Sequence, residues 1–155
     1  MNEYQVEYSA VIDAPSAHVY AIVSDYNDGH QAILPKPYFT KMEVLEGGVG
    51  AGTKLRIHMK VMGQAFVFHQ EIFEPEPGRV IVEDDKEAKV KTTFIFEPLN
   101  NDTQTRVTIL TDAEGGPGLK GWLEKKTNPS VMRKIYRAEL ENLNRVAKQR
   151  LVSLA

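Results

Sequence analysis

From residue 4 to residue 112 the chain consists mainly of short runs in which apolar and polar residues alternate, a pattern typical of half-buried β-strands. The first run covers residues 4–12 and carries on one face Tyr4, Val6, Tyr8, Ala10 and Ile12. Six further strands are predicted over residues 38–46, 54–61, 64–73, 79–84, 89–97 and 104–112. Pro75 and Pro77 predict a turn over residues 74–78, because proline cannot join a central strand.

The alternation is clearest around Gly63. If Met62 and Gly63 form a two-residue hairpin loop, Met59 faces Phe66 and Ile57 faces Phe68 across the strand pair. The predicted inner face of this hairpin then carries Leu55, Ile57, Met59, Phe66, Phe68 and Gln70. Arg56, His58 and His69 have the opposite parity and are expected to point outward. In a later strand the inward positions are Thr92, Phe94 and Phe96.

The helical pattern is confined to two parts of the chain. Pro15 and the apolar spacing after it predict a short helix that ends at Asn27-Asp-Gly29, followed by a second helical turn over residues 30–34. Residues 117–155 form the long helical segment, with a break at Asn128-Pro129. Its apolar stripe includes Trp122, Met132, Ile135 and Tyr136. The order of strand, two short helices, six strands and long helix predicts an α+β fold, with residues 1–155 as one domain.

Several short motifs occur in a characteristic order: Ser24-Asp-Tyr26, Ile33-Leu-Pro35, residues 47–53, residues 74–79 and Thr92-Thr-Phe94. Together with the order of elements they resemble the START-related SRPBCC superfamily, in particular its branch of polyketide cyclases, dehydrases and lipid-transport proteins. The resemblance implies a helix-grip fold, in which a curved, seven-stranded antiparallel sheet wraps around the long C-terminal helix. It also implies an internal cavity for an apolar molecule, and it does not choose between carrier and enzyme.

Composition narrows the chemistry. The chain has no cysteine, which excludes disulfides, thiolate metal sites and a cysteine nucleophile. The four histidines have no metal-ligand spacing, so we expect no metal and no cofactor. The glycines at 47, 48, 50 and 52 lack a following Gly-Lys-Ser/Thr and predict a hairpin loop rather than a phosphate loop. The N-terminus does not resemble a signal peptide and no apolar run is long enough to span a membrane, so a cytoplasmic protein is expected.

The charge is unevenly distributed. Residues 117–155 contain nine Lys or Arg and three Glu, a net charge of +6, whereas the remainder contains ten Lys or Arg and 18 Asp or Glu, a net charge of −8. This predicts a basic, solvated outer helix face against an acidic sheet, with transient contact with an anionic membrane surface as the functional alternative. No nucleic-acid-binding motif accompanies the charge, so nucleic acid is not an expected partner. The pattern does not define an oligomeric state.

These observations favour binding of a small hydrophobic ligand such as a lipid, polyketide or isoprenoid, in a cavity between the sheet and the C-terminal helix, and they leave open whether the protein also transports it. The expected ligand-binding residues are Tyr8, Leu55, Ile57, Met59, Phe66, Phe68, Gln70, Thr92, Phe94, Phe96, Trp122, Met132, Ile135 and Tyr136. A protein-interaction subunit that uses the C-terminal helix as its contact surface is a further alternative.

The main alternative is an enzyme, a cyclase or dehydratase that acts on a polyketide-like substrate in the same cavity. Its catalytic candidate is His30, which is expected at the cavity rim beside Asp25 or Asp28. The carboxylates Glu83, Asp84, Asp85 and Glu87 are interpreted as a solvated turn. Inward ionisable residues would favour the enzyme, and the pattern predicts few of them.

Overall fold

The computed structural model describes residues 4–114, 121 and 128–154. The strands are β1 (Tyr4–Ile12), β2 (Phe39–Glu46), β3 (Lys54–Val61), β4 (Gln64–Glu76), β5 (Val80–Asp85), β6 (Val90–Leu99) and β7 (Gln104–Ala113). The helices are α1 (Ser16–Ser24), α2 (Gly29–Ile33) and α3 (Asn128–Leu154). The predicted order of strand, two short helices, six strands and long helix is confirmed. Within the described ranges no helix is long and apolar enough to cross a membrane.

All seven strands join in one antiparallel sheet of order β1-β7-β6-β5-β4-β3-β2. From β2 to β7, strands that are consecutive in the chain are also adjacent in the sheet. β1 pairs with β7, so β1 and β2 form the two edges of the sheet. The curved sheet wraps around α3, and this confirms the predicted helix-grip fold. One apolar face of the sheet is thereby covered by one helix, which is the arrangement that leaves space between them.

The predicted parity of the β3–β4 hairpin is correct. Met59 pairs with Phe66, Ile57 with Phe68 and Leu55 with Gln70. Met62 and Gly63 both have positive φ, 49° and 81°, as a two-residue hairpin loop of type I′ requires. All six inward residues of the hairpin are buried, whereas His69 is exposed.

The predicted turn over residues 74–78 begins too early. β4 continues to Glu76 and therefore includes Pro75, although β4 lies inside the sheet. Its pairing with β5 shifts register between Phe73 and Glu76, and proline is tolerated inside a sheet at such a bulge. The expectation that this proline cannot join a central strand was therefore wrong.

Glycine 29 allows α1 and α2 to pack closely. A Cβ at this position would overlap the backbone carbonyl oxygen of Ile22 in α1. The backbone N–H of the next residue, His30, donates to the carbonyl of Asp25 at 2.8 Å. This tight connection turns the His30 side chain into the protein interior, where it is 1% exposed.

Helix α3 packs on the sheet through one apolar face, which buries Met132, Ile135, Tyr136, Leu140, Leu143, Val146 and Ala147. Polar contacts fix it to the helical pair: the Asn142 side chain donates to the carbonyl of Ile33 at 3.0 Å, and the His18 ring bonds the carbonyl of Ala147. The earlier part of the predicted C-terminal helix, with Trp122, lies outside the described residues.

Candidate functional site

A cavity of about 50 Å³ lies between the sheet and α3, large enough for about four water molecules. Its wall is formed by His30, Leu34, Phe39, Ile57, Met59, Phe68, Gln70, Glu83, Val90, Thr92, Phe94, Ile109, Thr111, Met132, Tyr136 and Glu139. Most of these side chains are apolar and buried. Leu34, Phe39 and Thr92 are the half-buried residues of this wall.

Eight of the residues predicted to bind ligand line this cavity: Ile57, Met59, Phe68, Gln70, Thr92, Phe94, Met132 and Tyr136. Five others lie in the surrounding core without reaching it, namely Tyr8, Leu55, Phe66, Phe96 and Ile135. Trp122 is outside the described residues. The structure therefore places the predicted inner face around a cavity, and the ligand-binding role of these residues stays a prediction.

His30 lies in the cavity wall, where its ring is held on several sides. The ring stacks on Tyr26 with centroids 4.4 Å apart and meets the edge of Phe94 at 5.7 Å. Its Nδ1 lies 2.7 Å from the carbonyl oxygen of Val23. Because a carbonyl only accepts hydrogen bonds, Nδ1 carries a proton and Nε2 is directed to the other side.

The partner of His30 is Glu83, not the expected Asp25 or Asp28. Nε2 of His30 lies 3.5 Å from Oε2 of Glu83, and both side chains are almost fully buried. The Tyr26 hydroxyl donates to the same carboxyl oxygen at 2.7 Å. Burial raises the pKa of Glu83, and His30 and Tyr26 offset part of this rise. Burial and the Glu83 charge also raise the pKa of Tyr26, so its hydroxyl keeps its proton and acts as a donor.

A second buried carboxyl, that of Glu139, enters the cavity from α3 and is 3% exposed. Burial raises its pKa well above the ordinary value, and the charge of Glu83 adds to this effect. None of the described residues forms a hydrogen bond with its carboxyl oxygens. The nearby Tyr136 hydroxyl is instead bonded to Thr111, which also bonds Thr92 at 2.9 Å.

The interpretation of residues 83–87 as a solvated turn was wrong for two of the four carboxylates. Glu83 is 5% exposed and lines the cavity. Asp85 is 3% exposed and accepts hydrogen bonds from the backbone N–H groups of His69 and Ala88. Glu139, which was counted with the charges of the helix, is also buried. The cavity therefore holds more ionisable groups than the sequence pattern indicated.

The other histidines of the sheet lie away from the cavity. His58 and Arg56 both bond the Glu43 carboxylate on the outer face, and Arg56 also donates to His69. In the part of the chain that the structure describes, no group of His, Asp and Glu has an arrangement that would hold a metal ion.

Comparison with known families agrees with this architecture. The sequence profile of the family described as polyketide cyclase / dehydrase and lipid transport matches residues 3–148, nearly the whole chain. The chain belongs to this family. Membership in the polyketide cyclase / dehydrase and lipid transport family indicates a hydrophobic ligand-binding or polyketide cyclase-type role. No curated protein sequence matches the chain.

Solved structures of related fold cover almost the whole chain. The solution structure of KanY protein is 26% identical, with a TM-score of 0.81 over 96% of this chain and 99% of that one. The Zhui aromatase/cyclase from Streptomyces sp. R1128 is 22% identical, with a TM-score of 0.67 over 97% and 96% of the two chains. A START superfamily protein from Mycobacterium smegmatis is 21% identical, with a TM-score of 0.62 over 97% and 99%. At these identities the last two comparisons show the fold.

Proposed function

We propose that this protein binds a small, mostly apolar molecule that carries a polar group, in the cavity between the sheet and α3. The observation that supports this most is the side chain of Gln70. Its Oε1 atom is buried, and no described residue forms a hydrogen bond with it. A buried polar atom left unpaired costs about 1–3 kcal/mol, and a bound ligand with a hydroxyl or amine would remove that cost.

The wall also suggests how the apolar part of the ligand is accommodated. Met59 and Met132 stand on the sheet and on the helix, and unbranched methionine side chains adapt readily to an occupant. A ligand larger than the cavity would displace these side chains and extend towards Leu34 and Phe39.

Native mass spectrometry of the freshly purified protein tests this proposal. We expect a non-covalently bound small molecule on the wild type, and its loss in Phe68→Asp, which places a charge in the cavity wall. Phe73→Asp is the matched control, because Phe73 lies on the same strand and on its half-buried outer side. Met59→Asp is a second cavity variant should Phe68→Asp not fold. A wild type that carries no molecule, and that takes none from a lipid and isoprenoid extract, would contradict the proposal.

A second candidate function is acid–base catalysis of the cyclase or dehydratase type, and the His30–Glu83–Tyr26 cluster favours it. In this scheme Nε2 of His30 takes a proton from carbon beside a substrate carbonyl, and Glu83 stabilises the imidazolium. The electron pair of the broken C–H bond forms the new double bond as the C–O bond breaks. The imidazolium then returns its proton to the leaving hydroxyl, and water departs.

If the protein is such an enzyme, the His30→Gln substitution should strongly reduce its rate of catalysis. With a β-hydroxy ketone as substrate, water loss followed by mass spectrometry should slow about 100- to 10,000-fold in His30→Gln. His69→Gln is the control, since His69 is exposed on the outer face of the sheet. If His30→Gln turns over as fast as the wild type, or the wild type shows no turnover, the protein is a carrier rather than this enzyme.

A further inference from the structure

The charges around the cavity are unbalanced. Its described wall contains two carboxyl groups, Glu83 and Glu139, and one imidazole, His30, but no lysine or arginine. When both carboxyl groups are ionised and His30 is protonated, one negative charge has no counter-ion among the described residues of this wall. Glu83 has both His30 and Tyr26 as partners, whereas no residue that the structure describes pairs with the carboxyl of Glu139.

The titratable groups near Glu139 show the same excess of negative charge. In the described part of the chain, the titratable groups that share this cavity with Glu139 or interact with its charge are Glu83 on β5, His30 on α2 and the hydroxyls of Tyr26 and Tyr136. Tyr26 already donates to Glu83, and Tyr136 is bonded to Thr111. The neighbouring charges of α3, Arg137 and Glu141, pair with each other on the exposed side of the helix at 3.5 Å.

An independent observation points to an absent polar group in the same cavity. Gln70 enters from β4, on the sheet side, and is 8% exposed, and its Oε1 has no hydrogen-bond partner among the residues that the structure describes. The ionised carboxylate on the helix side and the amide oxygen on the sheet side both accept hydrogen bonds only, and an ammonium group offers three donors and no acceptor.

We propose that the ligand of this cavity carries a basic amine, which binds as a cation between Glu139 and Gln70, and that carboxylate ligands are excluded. The inference rests on the proposed binding function and specifies the ligand class of the same site. A buried charge is tolerated only when it is paired, so an ammonium would neutralise the carboxylate of Glu139. An ionised fatty acid would instead place a third carboxylate beside two others, with a single imidazole to offset them.

The experiment compares three six-carbon probes that differ only in their polar end: n-hexylamine, 1-hexanol and hexanoate. Calorimetric titration of the wild-type protein at neutral pH should give a Kd for hexylamine at least about tenfold lower than for hexanol, or about 1.4 kcal/mol. Hexanoate should not bind. In Glu139→Gln the preference for the amine should disappear, while hexanol binding is retained.

Glu141→Gln provides the matched control. Glu141 is two residues after Glu139 but lies on the exposed side of α3, so this substitution removes the same charge outside the cavity. It should leave the ranking of the three probes unchanged. Equal binding of hexanol and hexylamine, or tighter binding of hexanoate, would overturn the amine inference and leave the binding function standing. Failure of all three probes to bind would overturn both. If Glu139→Gln still prefers the amine to the alcohol, the ammonium group binds somewhere other than Glu139. That result would also overturn the inference.

Discussion

At the scale of single residues, the most unusual feature is the presence of two buried glutamates in one small cavity. Taking a carboxylate out of water costs several kcal/mol unless partners compensate it, and Glu139 has no such partner among the described residues. Two buried acids therefore lower the stability of the fold instead of raising it. Stability therefore does not account for their common position at the cavity, whereas the proposed binding function does.

Substitution of Glu139 by glutamine should stabilise the protein at neutral pH. Folding raises the pKa of Glu139 above its ordinary value of 4.5, so the folded state binds this proton more tightly than the unfolded chain. The resulting stability is complete below pH 4.5 and is lost as the pH rises through the folded-state pKa. Glu139→Gln imitates the protonated form at every pH. Its free energy of unfolding in urea should exceed that of the wild type by about 1–3 kcal/mol at pH 8.

The difference between Glu139→Gln and the wild type should become small at pH 4.5. Glu141→Gln should change stability by less than about 0.5 kcal/mol at either pH, because it removes only an exposed ion pair. A Glu139→Gln protein that is less stable than the wild type at pH 8 would show that the carboxylate is paired in the folded state.

The sequence contained signals for both glutamates that the prediction did not use. Glu139 is seven residues after Met132 and three after Tyr136, which places it on the apolar face of the helix. Glu83 is opposite Thr92 in the β5–β6 pair, and residues directly opposite share a face of the sheet. To place Glu83 in this way, one must know the register of β5 and β6, and the four-residue loop between these strands does not fix that register. The pairing of His30 with Glu83, 53 positions later, was not predictable from local pattern.

At the scale of elements, the close packing of α1 and α2 determines where His30 points. Gly29→Ala introduces a Cβ that overlaps the Ile22 carbonyl, so α2 must move away from α1. We expect a loss of about 1–3 kcal/mol in the free energy of unfolding, as for other overpacked sites. The NMR signals of the His30 ring should also shift, because its bond to the Val23 carbonyl depends on this packing.

Ala32→Ser is the control for this prediction, since Ala32 lies in the same short helix on its exposed side. It should leave both the stability and the His30 ring signals close to those of the wild type. If Gly29→Ala matches the wild type in both measurements, the position of His30 does not depend on this contact.

For some strands, the sequence pattern was sufficient to predict which residues pair and which face inward. A two-residue loop at Met62-Gly63 fixed the register of β3 and β4, and the inward residues followed from it without error. The end of β4 was predicted wrongly because a bulge lets Pro75 remain in the sheet, and a bulge depends on the neighbouring strand rather than on the local sequence.

At the scale of the whole molecule, the family and the fold agree with a protein built around an internal space. The sheet supplies one wall and α3 the other, and the polar groups in that space come from β4, β5, β6, β7, α2 and α3. Carrier and enzyme both require this cavity to accept a ligand. The alternation of the strands predicted the apolar walls, whereas the acidic groups inside depended on contacts between distant parts of the chain.

The most direct test of cavity binding is a methyl NMR titration of methionine-labelled protein with 1-hexanol. Met59 and Met132 line the cavity from opposite walls, and Met62, at the tip of the β3–β4 hairpin, is 70% exposed and serves as the internal control. We predict saturable shifts of the Met59 and Met132 methyl signals with a Kd of about 1 mM, or about 4 kcal/mol, and no shift of Met62. Unchanged Met59 and Met132 signals, or shifts of the same size at Met62, would contradict ligand binding between the sheet and α3.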